Sequence, residues 1–299
     1  MKKRILLTLL YLLPLLLSAA PKHKVILQVL GSGGPEMNDK RASASYLIWI
    51  DGKSRILIDC GGGSALRFEE AEANIADLKV VLLTHLHIDH TADLPALLKA
   101  GFFTDRNKTL PIYGPFGNRV MPDTESFIHR LFASGKGAWE YMGDHLDGRA
   151  DFQIKPYSVS ESMEIITLFN ENNISVDAIT VHHGNFPAIA YRINIADKSI
   201  TLSGDMNGDY HTLELLAKDT DILVMHNAVP QNATGMAASL HMTPHIIGEI
   251  AQKANPKTVI LSHRMRRTGD KELETISEIR KSYKGKVKFA DDLSTFLVL

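Results

Sequence analysis

Only one cysteine is present, Cys60, so an intrachain disulfide is excluded whatever the compartment. Neither sign of charge is in excess: 33 Lys and Arg face 34 Asp and Glu, with no long basic or acidic run. That balance removes the gross electrostatic case for sequence-independent duplex binding and leaves room only for a local basic stripe. An apolar run of the roughly 20 residues that span a bilayer core is also lacking. The stretch Ile5–Leu17 has 13 residues and is interrupted by Pro14. Short repeats and low-complexity tracts are absent. What is left is a chain of 299 residues, long enough to bury one large core or two small ones.

Lys2, Lys3 and Arg4 precede the apolar run, and Ser18, Ala19 and Ala20 follow it. Positive, apolar, small is the layout of a secretory signal peptide. Residues 1–20 are therefore expected to direct export, to the periplasm or beyond, and residues 21–299 to form the mature domain. Pro21 is an awkward neighbour for cleavage, so an uncleaved anchor is the alternative, and membrane contact is expected only through this segment. Removing it takes away three positive charges and leaves a formal charge of about −4. No cysteine follows the run, which argues against a lipoprotein.

From Lys24 onward, β-rich runs alternate with helical stretches. Strands are expected at Val25–Leu30, Tyr46–Ile50, Arg55–Ile58 and Val80–Leu83, followed by a helix over Thr91–Ala100. The second half repeats the pattern. Strands are expected at Met163–Leu168, Ser175–Val181, Ala188–Ile195, Ser199–Leu202, Ile222–Met225 and Thr258–Leu261. Helices are expected at Tyr210–Ala217, Pro244–Ala254 and Lys271–Ser282. Such a series suits a layered α/β protein with two sheets. Residues 104–157 show weak periodicity, many turn formers and scattered aromatics (Phe127, Phe132, Trp139, Tyr141). They read as an insertion over one face, or as a pair of connecting helices packed by those aromatics.

The chemistry concentrates in Thr84-His85-Leu86-His87-Ile88-Asp89-His90, where three imidazoles and a carboxylate fall within six residues after an apolar strand. In an extended segment His85 and His87 project to one side. Asp89 and His90 follow as the chain turns toward a helix. Imidazole and carboxylate suit zinc first, and iron or manganese next. Closed structural zinc sites are usually built from cysteines, so the pattern points to an open catalytic site. Further ligand candidates stand at the ends of expected strands: His182 and His183, Asp205 in Ser203-Gly204-Asp205, and His263 in Leu261-Ser262-His263. Loops at one edge of a sheet sandwich converge in space, which gives these scattered residues joint weight. Two roles are open to Asp59, orienting a ligand histidine or stabilising its turn.

These features, together with the Gly31–Gly34 turn, Leu57-Ile58-Asp59-Cys60-Gly61, Ile112-Tyr113-Gly114-Pro115 and Pro187 with Tyr191-Arg192, resemble the metallo-β-lactamase-fold superfamily. Within it they are most similar to the ribonuclease Z and arylsulfatase-like branch. The resemblance implies a four-layer αββα sandwich and a site for two divalent metal ions. It assigns His85, His87 and His183 to the first ion and Asp89, His90 and His263 to the second, with Asp205 bridging. His182 competes with His183, and the spacing before Pro187 favours His183. Asp89 and His241 are the expected catalytic residues. His241, in His241-Met242-Thr243-Pro244, stands near the place of a substrate-facing histidine, suited to protonating a leaving group or gripping an oxyanion. Met242 replaces the branch's usual Ser, and Asn227 stands where related chains often carry an acid. Both departures bear on nuclease activity more than on metal binding.

The expected function is hydrolysis of a phosphodiester or related anionic ester, on a small molecule or a short substrate, by an exported enzyme. Transfer-RNA processing does not suit an exported protein. A β-lactam or lactone hydrolase would use the same metals with a different substrate wall. A non-catalytic metal-binding module is the reading from another class, and the full ligand set argues against it. A di-iron redox enzyme lacks support because no flavin-binding extension follows the core.

Overall fold

The computed structural model describes residues 23–299, so the expected signal segment lies outside the described residues. The first sheet holds β1 (Val25–Gly31), β2 (Ser45–Ile50), β3 (Lys53–Ile58), β4 (Val80–Leu82), β5 (Leu110–Pro115), β6 (Ile154–Val159) and, returning at its edge beside β1, the strand Thr295–Leu297. The second holds β7 (Ile166–Glu171), β8 (Ile174–His183), β9 (Phe186–Ile195), β10 (Lys198–Leu202), β11 (Ile222–His226), β12 (Thr258–Ser262) and β13 (Lys286–Phe289), side by side in that order. The edge strand Thr295–Leu297 is β14. In each sheet the strands toward one side run parallel, β3 to β6 in the first and β10 to β13 in the second.

The apolar side chains explain the layering. In β2, Tyr46, Ile48 and Ile50 face the space between the sheets, whereas Leu47 and Trp49 point outward. In β11, Ile222 and Val224 face inward, and Leu223 and Met225 pack against helices. Strands buried on both faces read as unbroken apolar runs rather than alternating ones. Outside the first sheet pack α1 (Ser64–Glu70), α3 (Leu94–Ala100), α4 (Thr124–Phe132) and α5 (Gly143–Leu146), with the short α2 (Ile88–Thr91) in the loop before α3. Outside the second pack α6 (Leu213–Leu216), α8 (Pro244–Ala254) and α10 (Glu272–Ser282); the short α7 (Gly235–Leu240) and α9 (Arg266–Gly269) stand in the loops after β11 and β12. The architecture is the expected αββα sandwich.

Several local expectations need correction. The helix expected over Thr91–Ala100 starts three residues later, as α3 with Pro95 in its first turn, because the Pro95 ring cannot sit beside a helical carbonyl of Thr91, and the separate short α2 ends at that residue. Tyr210–Ala217 shrinks to α6, and the strand expected at Met163–Leu168 lies further along as β7. Residues 104–157 are not wholly an insertion. They include β5 and the start of β6, which are strands of the first sheet. Two prolines and a glycine in Leu110-Pro-Ile-Tyr-Gly-Pro115 disguise β5. The segment between those strands packs against the outer face of the first sheet through Ile128, Phe132, Met142 and Phe152.

The sandwich brings its functional loops to one edge. The loops or last residues after β4, β8, β10, β11 and β12 carry His85–His90, His183, Asp205, His226 and His263. Hydrogen bonds tie the sheets there, among them Ile189 N–H donating to the Thr84 carbonyl at 2.8 Å and the Tyr191 hydroxyl to the Leu83 carbonyl at 2.9 Å. Gly61 lets the histidine loop approach, since a Cβ on it would stand 2.1 Å from the Asp89 carbonyl oxygen. Gly61→Ala is expected to cost roughly 1–3 kcal/mol, the usual worth of forced overpacking, and to lower metal content. Thermal unfolding with metal analysis checks this; unchanged values for both would show that the loop shifts without consequence.

Candidate metal centre

The sequence after β4 turns at once into the short helix α2, which places His85 and His87 before the helix and Asp89 and His90 within it. His85 Nε2 and His87 Nδ1 are 3.0 Å apart, and His183 Nε2 is 3.4 Å from His87 Nδ1. Asp205 Oδ2 lies 3.8 Å from both His85 Nε2 and His183 Nε2. Ligand atoms of these four residues all fall within 4.8 Å of one another. His182, the next residue on the strand, points the other way, to Asn207 Oδ1 at 3.0 Å and the Tyr210 ring, so His183 is the member of this group.

A second group adjoins the first and shares Asp205. It comprises His90, Asp205, His226 and His263. His263 Nε2 is 3.5 Å from Asp205 Oδ1 and 3.2 Å from Asp89 Oδ2, and His90 Nε2 is 3.6 Å from that same Asp89 oxygen. Asp89 thus borders the second group rather than standing inside it. His226 is already engaged at both nitrogens, with Asp205 Oδ1 at 2.7 Å and the Tyr46 hydroxyl at 2.9 Å. We read His226 as the holder of the Asp205 carboxylate, which leaves Asp89 as the available oxygen ligand. His241 reaches the same place from beyond α7, with Nδ1 3.8 Å from Asp205 Oδ2.

Partners behind the ligands fix their orientation. His90 Nδ1 donates to Asp59 Oδ2 at 2.8 Å, and His183 Nδ1 to the Leu240 carbonyl at 2.8 Å, so both present Nε2 to the centre. Asp59 also accepts from Thr84 N–H at 2.7 Å and Thr84 Oγ1 at 2.8 Å. It adopts a left-handed φ of 54°, as His263 does at 52°. Non-glycine residues held there store strain, which concentrates at functional sites. Of the two roles open to Asp59, the structure shows it orienting a ligand histidine. Sequence reasoning missed His226 and Tyr46; the signal available was that His226, like His183, is the last residue of an apolar strand.

The centre fits divalent metal. His90 Nε2 is buried without a hydrogen-bond partner, although it faces two carboxylates. Burial, then His90 and His183, drives His85 well below the ordinary imidazole range. Burial also lowers His87 and takes His183 down to about 4. The shifts favour the neutral ring in all three, the form that donates a lone pair to metal. In the second group burial opposes charge, but Asp59 and Asp89 raise His90 well above the usual range, and Asp205 and Asp89 raise His263. Burial resists ionisation of the carboxylates, yet His90 and His263 hold Asp89 down to about 2, and His263 and His241 hold Asp205 well below the ordinary value.

A family model described as a beta-lactamase superfamily domain matches residues 54–264. The chain belongs to the metallo-β-lactamase superfamily. It is 30% identical over 246 residues to Ribonuclease Z of Mycobacterium sp. (strain KMS), covering 79% of this chain and 82% of the relative. Ribonuclease Z of Mycobacterium bovis (strain BCG / Pasteur 1173P2) is 26% identical over 277 residues, covering 89% and 95%. Among solved structures, human tRNase Z, short form, superposes with a TM-score of 0.69 at 19% identity, over 92% of this chain and 99% of that one. The metallo-beta-lactamase fold protein YhfI from Bacillus subtilis gives the same score and identity over 92% and 100%. The chain is a metal-dependent hydrolase of this superfamily, and its two His/Asp groups are consistent with a dinuclear metal site.

The charge pattern predicts an unequal proton inventory. Below neutral pH the surroundings of His90 and His263 favour a proton that metal must displace, whereas those of His85, His87 and His183 disfavour one. Loading the metal-free protein with zinc at mildly acidic pH should release protons chiefly from His90 and His263. Calorimetry in buffers of different ionisation enthalpy measures this. A variant lacking both His90 and His263 should release clearly fewer protons; release unchanged from wild type would contradict the assignment.

Proposed function

We propose that the protein hydrolyses phosphodiesters, with Asp205 as the residue on which both metal groups depend. The observation that carries this reading is the position of Asp205, one carboxylate shared by two groups of histidines at a single edge of the sandwich. The relatives bear the name Ribonuclease Z, which supports a phosphodiester over a β-lactam or lactone. His85, His87, His183 and Asp205 would hold one ion, and His90, His263, Asp89 and Asp205 the other, zinc being first choice for this donor set. When bound, two such cations supply Lewis acidity and an activated water near neutral pH.

This chain's own residues do the rest. His226 and Tyr46 keep the Asp205 carboxylate from rotating, and Asp59 and the Leu240 carbonyl hold His90 and His183 in register. Close-packed apolar strands behind the loops exclude water from all but the open side. His241 is the remaining polar group at the centre, its Nδ1 buried and without a hydrogen-bond partner. Burial pushes its pKa down to about 3, so it stands neutral and suits donating an N–H to a substrate oxygen rather than delivering a proton. Of the two roles considered for His241, gripping an oxyanion is therefore favoured.

The test is hydrolysis of two diesters that differ only in leaving-group pKa, by metal-loaded wild type, Asp205→Ala and His241→Ala. Asp205→Ala should lose metal and activity together. His241→Ala should keep its metal and lose roughly 10²–10³ in rate on both esters alike. A loss confined to the poorer leaving group would show proton donation instead, and no diester hydrolysis by fully loaded wild type would refute the proposed function.

Export remains the reading of the N-terminal segment, supported by Lys2–Arg4, the apolar run and Ser18–Ala20. Mass spectrometry of the protein recovered from cells should find the first residue close to position 21; a full-length soluble chain would exclude export with cleavage.

A further inference from the structure

Two cavities flank the tip of the β8–β9 hairpin, next to the metal centre. One is about 410 Å³ and reaches His183; the other is about 690 Å³ and runs under α7. They share Val120, His182 and the tip residues Gly184, Asn185 and Phe186. The tip is pinned to the segment after β5 by Asn118 Nδ2, which donates to the Asn185 carbonyl at 2.9 Å. Phe186 is the link to the chemistry. Its ring sits edge-on to His87 at 4.3 Å between centroids and 5.9 Å from His183.

The larger cavity is walled by Phe186, Val120, Met236 and Leu240. Val120 is 54% exposed and Met236 73%, so neither is consumed by packing within the chain. Among the described residues lining the two cavities, the charged groups besides histidine are Arg119, Glu161 and Asp209. A polynucleotide needs a track of cations to meet successive phosphates. One arginine with two carboxylates is the wrong balance for that. A volume of several hundred Å³ with apolar walls beside a few polar groups is what a small organic ligand needs.

Resting on the phosphodiesterase reading, we infer that the substrate is a small diester with a single phosphate whose non-leaving group is a flat, uncharged aromatic ring, seated between Phe186 and Met236. The phosphate lies at the metal centre, and the ring lies along the hairpin tip. Phe186 and Met236 are thus specificity residues, with no part in the reaction itself.

The test compares phenyl 4-nitrophenyl phosphate with ethyl 4-nitrophenyl phosphate, which share a leaving group, on the metal-loaded full chain. Wild type should favour the phenyl ester by about tenfold in kcat/KM, mostly through KM, as burial of part of a ring predicts. Phe186→Ala should remove most of that preference, and Met236→Ala, a change on an exposed helix, should reduce it with metal content retained. Equal kcat/KM for the two esters in wild type overturns the inference, as does an equal loss on both esters in both variants. A higher kcat/KM on an RNA oligonucleotide than on the phenyl diester overturns it too. Binding of phenylphosphonate against ethylphosphonate, measured by calorimetry, reads the cavity without turnover. A tenfold preference that Phe186→Ala abolishes, in a protein that hydrolyses neither diester, would keep the ring seat and refute the phosphodiesterase reading; equal binding of the two phosphonates overturns the inference.

Discussion

Asp205 is a carboxylate buried among six histidines. Imidazole nitrogens of His85, His90, His183, His226, His241 and His263 lie between 2.7 and 3.8 Å from its oxygens. An isolated carboxylate taken out of water at this depth would neutralise itself rather than remain charged. It stays ionised because His90 and His263 are charged beside it and His226 donates to it at 2.7 Å. The balance depends on loops from both sheets meeting at this edge, since His85 and His90 follow the first sheet's β4 and His183, His226 and His263 end or follow strands of the second.

The same constraint explains where the backbone is strained. Asp59 and His263 both take left-handed φ values, and each presents a side chain that a relaxed residue would turn away. Asp59 uses its geometry to hold Thr84 and His90 together, which fixes the start and the end of the histidine loop with one side chain. The aliphatic layer between the sheets supplies the stability that this arrangement draws down. Placing so many titratable groups in a dry edge costs folding free energy, and bound cations would recover part of it by giving the lone pairs and carboxylates a common partner.

The walls beside the centre come partly from other segments. The β8–β9 hairpin tip and the segment between β5 and β6 shape the space next to His87 and His183, joined by the bond from Asn118 to the Asn185 carbonyl. The tip is continuous with the ladder that ends on His183, since Phe186 pairs with His183 and packs edge-on to His87, so wall and centre are coupled through one hairpin.

The dense histidine loop, the strand-end positions of His183, Asp205 and His263, and the two-sided apolar runs were all legible in the sequence, because each is a local pattern of residue type and period. The αββα layering followed from the resemblance those patterns carry. Strands with disguising residues were not legible: β5 with its prolines, and the edge strands β13 and β14, whose lysines or exposed positions make them resemble surface loops. Nor was the role of His226, just past the expected strand Ile222–Met225, whose two nitrogens are committed to Asp205 and Tyr46, residues 21 and 180 positions away. The choice of Asp89 over His226 as ligand, the neutrality of His241 and the cavities along the hairpin tip all depend on distances between segments far apart in the chain. Sequence by itself determined which chemistry the residues can perform. Tertiary structure decided which of them meet, since proximity across two sheets comes from packing that no local pattern encodes.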